Sequence, residues 1–209
     1  MTADRLVLWR HGQTDWNVAV RFQGQADIPL NATGVEQARV AAPALAAFEP
    51  TVLWSSDLGR TQQTAAALSA VTGLVAQLDP RLREIDVGSW QGLRGSEVGE
   101  VEPEAYAALR RGEDVRRSPT GETVAEVGER VAQALTEIAE AAPDGSTVVV
   151  TTHGLAGRAG LCRLLELPFA HWRTFGSLDN CAWAVLQRHH GGGYWRVAAY
   201  DVSAQQTIS

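Results

Sequence analysis

Residues 147–154 read Thr-Val-Val-Val-Thr-Thr-His-Gly. An apolar run this short, rich in β-branched residues and bounded by polar ones, is the pattern of a strand buried on both faces, as in a mainly parallel sheet. His153 stands just past its end, and residues 155–165 then read as a helix. Immediately upstream, Thr123 and Glu126 have capping-box spacing ahead of Val124, Val127, Val131, Leu135 and Ile138, which predicts a helix over residues 123–141.

The same alternation extends toward the amino end. Residues 5–9, Arg-Leu-Val-Leu-Trp, predict a strand that stops at Arg10, His11 and Gly12. A helix should open at residues 31–34 with Val35, Ala38, Ala42 and Leu45 on its apolar face, kinked by Pro43. A strand follows at 52–54. Asp57 is placed to cap the next helix, with Leu58, Thr61, Ala65 and Leu68 on one face and Arg60 in its first turn, against the helix dipole. Residues 74–78 suit a third, shorter strand. From Arg83 to about Gly121 the chain makes a Gly-rich polar excursion, the least regular part. Strands at about 182–188 and 195–201 flank His-His-Gly-Gly-Gly-Tyr, a hairpin turn. The expected fold is α/β: a three-layer α/β/α sandwich around a mostly parallel central sheet with an antiparallel edge.

The 209 residues contain no repeat or low-complexity tract, so one domain spanning 1–209 is expected. No stretch approaches the roughly 18 apolar residues of a membrane helix, and the start lacks a long apolar leader, which predicts a cytoplasmic protein without membrane attachment. Cys162 and Cys181 have no metal-ligand spacing and read as buried or idle thiols. The net charge of −6 argues against nonspecific nucleic-acid binding. All 18 basic residues are arginine, so any anion site must be built from guanidinium groups.

His11 and His153 each follow the carboxyl end of a strand, where open α/β sheets bind ligands. With Arg10 beside one and Arg60 after another strand, they would form a cationic cluster suited to a phosphoryl group. His171, His189 and His190 read as exposed loop residues, and Trp54 and Trp183 as core. Trp16 and Trp90 flank the motifs. Arg110, Arg111, Arg116 and Arg117 form a basic patch that is either a solvated face or an anion contact from a lid.

The run Leu8 to Asn17, then Arg21, Phe22, Gln23, Gly24, Gln25, Asp27, Leu30 and Gly34, resembles the signature of the histidine phosphatase superfamily, in its phosphoglycerate mutase-like branch. The similarity continues through residues 55–65, 82–92, 121–124 and 152–154, nearly the whole chain. The resemblance implies His11 as nucleophile, Arg10, Arg60 and His153 as holders of the phosphoryl oxygens, and Glu84 as proton donor. It implies further phosphate or substrate contacts from Asn17 and Gln23 and from the backbone at Gly24 and Gly154. Neither metal nor cofactor is expected, since arginines replace the cation.

Mutases of the superfamily place a lysine and an arginine pair after the glutamate motif. This chain has no lysine, and its Gly88 to Leu93 resembles the phosphatase branch, so the expected reaction is phosphomonoester hydrolysis, with a mutase or a non-catalytic phosphate-binding module as alternatives. Asn180, Cys181, Ala182, Trp183, Trp195, Arg196 and Asp201 are similar to glucosyl-3-phosphoglycerate phosphatases, which implies a small phosphorylated metabolite of that kind as substrate. A broad-specificity sugar or small-acid phosphatase and an α-ribazole phosphatase stand as further alternatives. A homodimer is left open.

Overall fold

The computed structural model describes residues 2–189 and 193–204. The chain runs β1 (Arg5–Arg10), α1 (Asp15–Val18), α2 (Ala32–Ala46), β2 (Val52–Ser55), α3 (Gly59–Thr72) and β3 (Gln77–Leu78). Next come α4 (Gly95–Val101), α5 (Pro103–Arg111), α6 (Val124–Ala141), β4 (Thr147–Thr152), α7 (Gly154–Leu164), β5 (Trp183–Arg188) and β6 (Trp195–Val202). The six strands form one sheet in the order β3-β2-β4-β1-β5-β6. β4 is parallel to β1 and β2, and β2 to β3, whereas β5 and β6 form the antiparallel edge.

Burial follows the pleat. In β1, Leu6 and Leu8 face the cluster that α6 and α7 complete with Val127, Val131, Leu135, Ala156 and Leu161. Val7 and Trp9, on the other face, pack with Ala38, Ala42 and Leu45 of α2 and Ala65 and Leu68 of α3. Every residue of β4 is buried, because helices cover both of its faces. The capping box of α6 forms as its spacing predicts, with Thr123 Oγ1 accepting from Glu126 N at 3.2 Å and Glu126 Oε2 accepting from Thr123 N at 2.8 Å.

Several expectations are corrected. Val35 is 54% exposed; Ala38, Ala42 and Leu45 are buried as the predicted face has them, and Gly34 and Ala41 join them in the place of Val35. The helix continues past Pro43, which sits in its last turn. Asp57 does not cap α3, whose N-cap is Leu58 without a side-chain bond. Its carboxylate instead accepts from Arg83 Nε and Nη2 at 2.7 and 2.6 Å. The excursion is not structureless: α4 and α5 lie inside it, α5 started by Pro103 and ended by Gly112 in the left-handed region. Trp54 is only partly buried, while Trp183 and Trp90 are core. His189 is half-buried, its ring stacked on Tyr194 with centroids 4.8 Å apart. The middle of the predicted hairpin turn, including His190, lies outside the described residues.

Candidate active site

β1 and β4 are adjacent and parallel, so the residues after them emerge side by side. The imidazoles of His11 and His153 meet edge to face, centroids 5.2 Å apart. The loop that carries His11 is held against the start of α2: a Cβ on Gly12 would collide with the Gly34 carbonyl, and one on Gly34 with the backbone of Gln13. Gly12 N also donates to Thr64 Oγ1 at 3.1 Å, tying the loop to α3.

His11 is buried, and its Nδ1 lies 2.7 Å from the Gly12 carbonyl. Only a protonated Nδ1 can donate to that oxygen, so the neutral ring keeps its lone pair on Nε2. Burial, reinforced by the positive charge of Arg60 and Arg10, holds the His11 pKa well below the ordinary imidazole value. His153 is lowered in the same way, by burial and then by Arg60. Its Nε2 lies 3.0 Å from Ser56 Oγ, and its Nδ1 is buried without a partner among the described residues.

Arg60, fully buried in the first turn of α3, donates to the carbonyls of Ala26 and Gly24 at 2.6 and 2.9 Å. Those bonds offset the unfavourable dipole, and burial brings its pKa down to about 10. Arg10 donates to the Leu178 carbonyl. Gly154 opens α7 against it: a Cβ there would stand 3.2 Å from the Arg10 guanidinium carbon and 2.6 Å from Ser177 Oγ. Asn17 Oδ1 accepts from Thr14 N at 3.0 Å, and Gln23 Oε1 lies 3.0 Å from Thr14 Oγ1, so Thr14 orients both amides.

Glu84 reaches the first turn of α7, where Oε1 accepts from Ile85 N and Ala156 N, both at 2.9 Å, and Oε2 from Leu155 N at 3.2 Å. Its backbone is clamped from α6. Arg130 donates to the carbonyls of Arg81, Arg83 and Glu84 at 2.7, 2.7 and 2.9 Å, and its guanidinium pairs with both carboxylate oxygens of Glu122 at 2.8 Å. Glu122 Oε2 in turn accepts from Asp86 N at 2.8 Å. Glu122 was visible in the Gly-Glu-Thr-Val motif; Arg130, eight residues later and inside α6, carried no signal of its own.

Arg10, His11, Asn17, Gln23, Gly24, Arg60 and Glu84 line one cavity of about 680 Å³. His153 joins them through the His11 ring, and Gly154 through Arg10. Arg21, Arg158, Arg173 and Phe175, which the motifs did not mark as site residues, are among the others that line it. The basic pairs of the excursion divide. Arg117 reaches the cavity while Arg116 pairs with Glu126; Arg110 faces a neighbouring cavity while Arg111 pairs with Glu113 at 2.6 Å. Among the described residues no group of three or more His, Cys, Asp or Glu side chains could hold a metal ion.

A family model described as histidine phosphatase superfamily (branch 1) matches residues 6–201. The chain belongs to the histidine phosphatase superfamily. It is 38% identical over 219 residues to a glucosyl-3-phosphoglycerate phosphatase of Mycobacterium tuberculosis, covering 98% of this chain and 97% of that one. A probable phosphoglycerate mutase of Yersinia pestis is 38% identical over 178 residues, 85% of this chain and 82% of that protein. Among solved structures, mycobacterial glucosyl-3-phosphoglycerate phosphatase complexed with VO3 superimposes with a TM-score of 0.88 at 37% identity, covering 96% of this chain and 100% of that one. The superfamily's α/β sheet with an antiparallel edge is the architecture described above. No helix among the described residues is long and apolar enough to cross a membrane.

Proposed function

We propose that the protein hydrolyses phosphomonoesters of small metabolites through a phosphohistidine on His11. The observation that carries this reading is the buried His11 ring, its Nδ1 2.7 Å from the Gly12 carbonyl so that Nε2 is the nitrogen left to attack, in a cavity shared with Arg10, Arg60 and Glu84. Nε2 attacks phosphorus, the P–O ester bond breaks, and Glu84 gives its proton to the departing oxygen. In the second step Glu84 takes a proton from water, the resulting hydroxide attacks phosphorus, and the P–N bond breaks with its electrons returning to Nε2. Arg10 and Arg60 carry fixed positive charge opposite the equatorial oxygens, where charge spreads in a phosphoryl-transfer transition state. His153, held to Ser56 through Nε2, has Nδ1 left for a phosphoryl oxygen.

Asn17, Gln23 and the backbone at Gly24 and Gly154 complete the contacts in this reading. A glucosyl-3-phosphoglycerate-like ester is the substrate suggested by the relative that is similar over nearly the full length. The division of the arginine pairs supports hydrolysis over phosphoryl transfer to a second hydroxyl, because neither pair faces the cavity as a unit. The test is rapid quenching in alkali after mixing with labelled p-nitrophenyl phosphate: a phosphoramidate survives base, and the label is expected on the peptide holding Arg10 and His11. Label on His153, or turnover abolished by a chelator and restored by Mg²⁺ or Zn²⁺, would refute the mechanism.

A further inference from the structure

Two buried imidazoles stand edge to face beside the cavity, and the chemistry asks opposite things of them. His11 has to present a lone pair to phosphorus, whereas His153 can hold a phosphoryl oxygen only through an N–H. A charged imidazolium would donate from both nitrogens whatever its neighbours. Burial, then the charge of Arg60, keeps His153 neutral, so it has a single N–H. Where that hydrogen sits is decided by the partner of the other ring nitrogen.

The partner is Ser56, the residue after β2, whose Oγ lies 3.0 Å from His153 Nε2. Ser56 is fully buried and its backbone is pinned on both sides. Its N donates to the Thr151 carbonyl of β4 at 2.9 Å, and its own carbonyl lies 2.9 and 2.7 Å from the hydroxyls of Thr61 and Ser55. The parallel pairing of β2 with β4, Ser55 opposite Thr151, therefore fixes the hydroxyl against the residue that follows β4. Ser56 Oγ also lies 3.4 Å from Leu58 N, from which it accepts. Among the described residues its hydrogen has no acceptor other than His153 Nε2. Donated there, it makes Nε2 the lone-pair nitrogen and puts the ring hydrogen on Nδ1, the buried atom that has no partner among the described residues. The opposite arrangement orphans the hydroxyl hydrogen in a dry site and turns a bare lone pair of Nδ1 toward an anion. Each of these costs about as much as a lost buried hydrogen bond.

We propose that Ser56 is a positioning residue that sets the tautomer of His153 and so makes that ring a hydrogen-bond donor to the phosphoryl group. His11 and His153 then carry their hydrogen on the same nitrogen and use it oppositely. His11 spends Nδ1–H on the Gly12 carbonyl and attacks with Nε2; His153 lends Nε2 to Ser56 and binds with Nδ1–H. The proposal rests on the hydrolytic reading for the place of the phosphoryl group.

The hydrogen is located by long-range proton–nitrogen NMR of the free enzyme with isotopically labelled histidine rings, assigned with His11→Ala and His153→Ala. At neutral pH His153 is expected to show a protonated Nδ1 and an unprotonated Nε2. A hydrogen mainly on Nε2 would overturn the proposal outright. Ser56→Ala should move the hydrogen toward Nε2, and Ser56→Thr, which keeps the hydroxyl, should leave it in place. Affinity for inorganic phosphate should fall about 10- to 100-fold in Ser56→Ala, the loss of one charge-assisted bond, and kcat/KM for p-nitrophenyl phosphate should fall by a similar factor. In a His153→Ala background the same substitution should cost less than about threefold, because a residue that acts through His153 has nothing left to act on. A full loss in that background, or a loss with the tautomer unmoved, would make Ser56 a structural residue only and overturn the proposal. If Ser56→Ala does not fold, the tautomer of the unsubstituted protein still decides. That measurement needs neither ligand nor turnover, so a failure of the hydrolytic reading appears in the alkali quench and is distinguishable from a failure here.

Discussion

The floor and the far wall of the cavity are built by different physics. The floor stands on the carboxyl ends of β1 and β4 and the first turns of α3 and α7, where His11, His153 and Arg60 are buried and every one of them is tied to backbone or hydroxyl partners. The far wall is made of side chains from the excursion, from α7 and from the turn before β5, and its arginines are held only at their edges, Arg117 by the Val115 carbonyl and Arg173 by that of Leu109. Preorganised charge that need not move suits a transition state common to all phosphomonoesters. Charge on separate, partly exposed segments suits the part of a substrate that differs from one ester to the next. Floor substitutions should therefore cost activity on every substrate, and wall substitutions should cost it selectively.

The largest effect is expected from His11→Ala. Without Nε2 there is no covalent intermediate, and kcat should fall by roughly three orders of magnitude or more on every substrate, with no label trapped in alkali. Because His11 lies past the apolar run of β1, the melting temperature should show a folded protein. Substantial residual turnover, or a loss confined to some substrates, would remove the distinction between floor and wall at its strongest point.

Glu84→Gln should act next. The amide oxygen can still accept from Ala156 N, though the bond from Leu155 N is lost, and the amide cannot protonate a leaving group; such assistance is worth on the order of 10² to 10⁴. The burst phase with alkyl phosphates should slow by about that factor, while p-nitrophenyl phosphate, whose leaving oxygen hardly needs a proton, is affected far less. Equal losses would shift the acid role to Asp86. Arg60→Lys should cost about 10- to 100-fold in kcat/KM, since one ammonium cannot serve two carbonyls and a phosphoryl group, each charge-assisted bond being worth about 1.5–3 kcal/mol. A change within about twofold would place Arg60 outside the transition-state contacts.

The same division decided what could be read from the sequence. The sheet was legible because β4 and β1 are short apolar runs that end abruptly at polar residues, and α6 because its capping box and apolar stripe agree. The floor was legible because its residues sit within a few positions of those ends, in motifs the superfamily shares. Arg158 and Arg173 were not, since their place on the cavity wall depends on how α7 and the turn at 169–174 pack, which no local spacing encodes. The role of Asp57 was misread for a related reason. A residue next to a helix start suits an N-cap, but a long-range bidentate bond to Arg83 competed for the carboxylate and prevailed. The excursion looked irregular because α4 and α5 are short and bury only a few side chains.

The smallest expected effect concerns the pH dependence of stability, and it isolates the floor. His11 and His153 are both held well below the ordinary imidazole pKa of about 6.5 in the fold, so they stay neutral there while the unfolded chain takes up protons near that value. Below about pH 6.5 the unfolded state binds more protons than the native one, and stability falls as the pH drops. With an unfolded pKa near 6.5 and a much lower native one, each histidine contributes a loss of about 1 kcal/mol between pH 6.5 and 5.5. Urea midpoints measured across that interval should decline for the unsubstituted protein and decline less steeply for His11→Ala, which lacks one of the two contributions. Imidazole resonances of the free enzyme should confirm the sign, those of His11 and His153 staying flat from pH 8 to 6. If either ring titrates near 6.5, the desolvated floor is wetter than its burial indicates, and the contrast with the far wall is one of degree only.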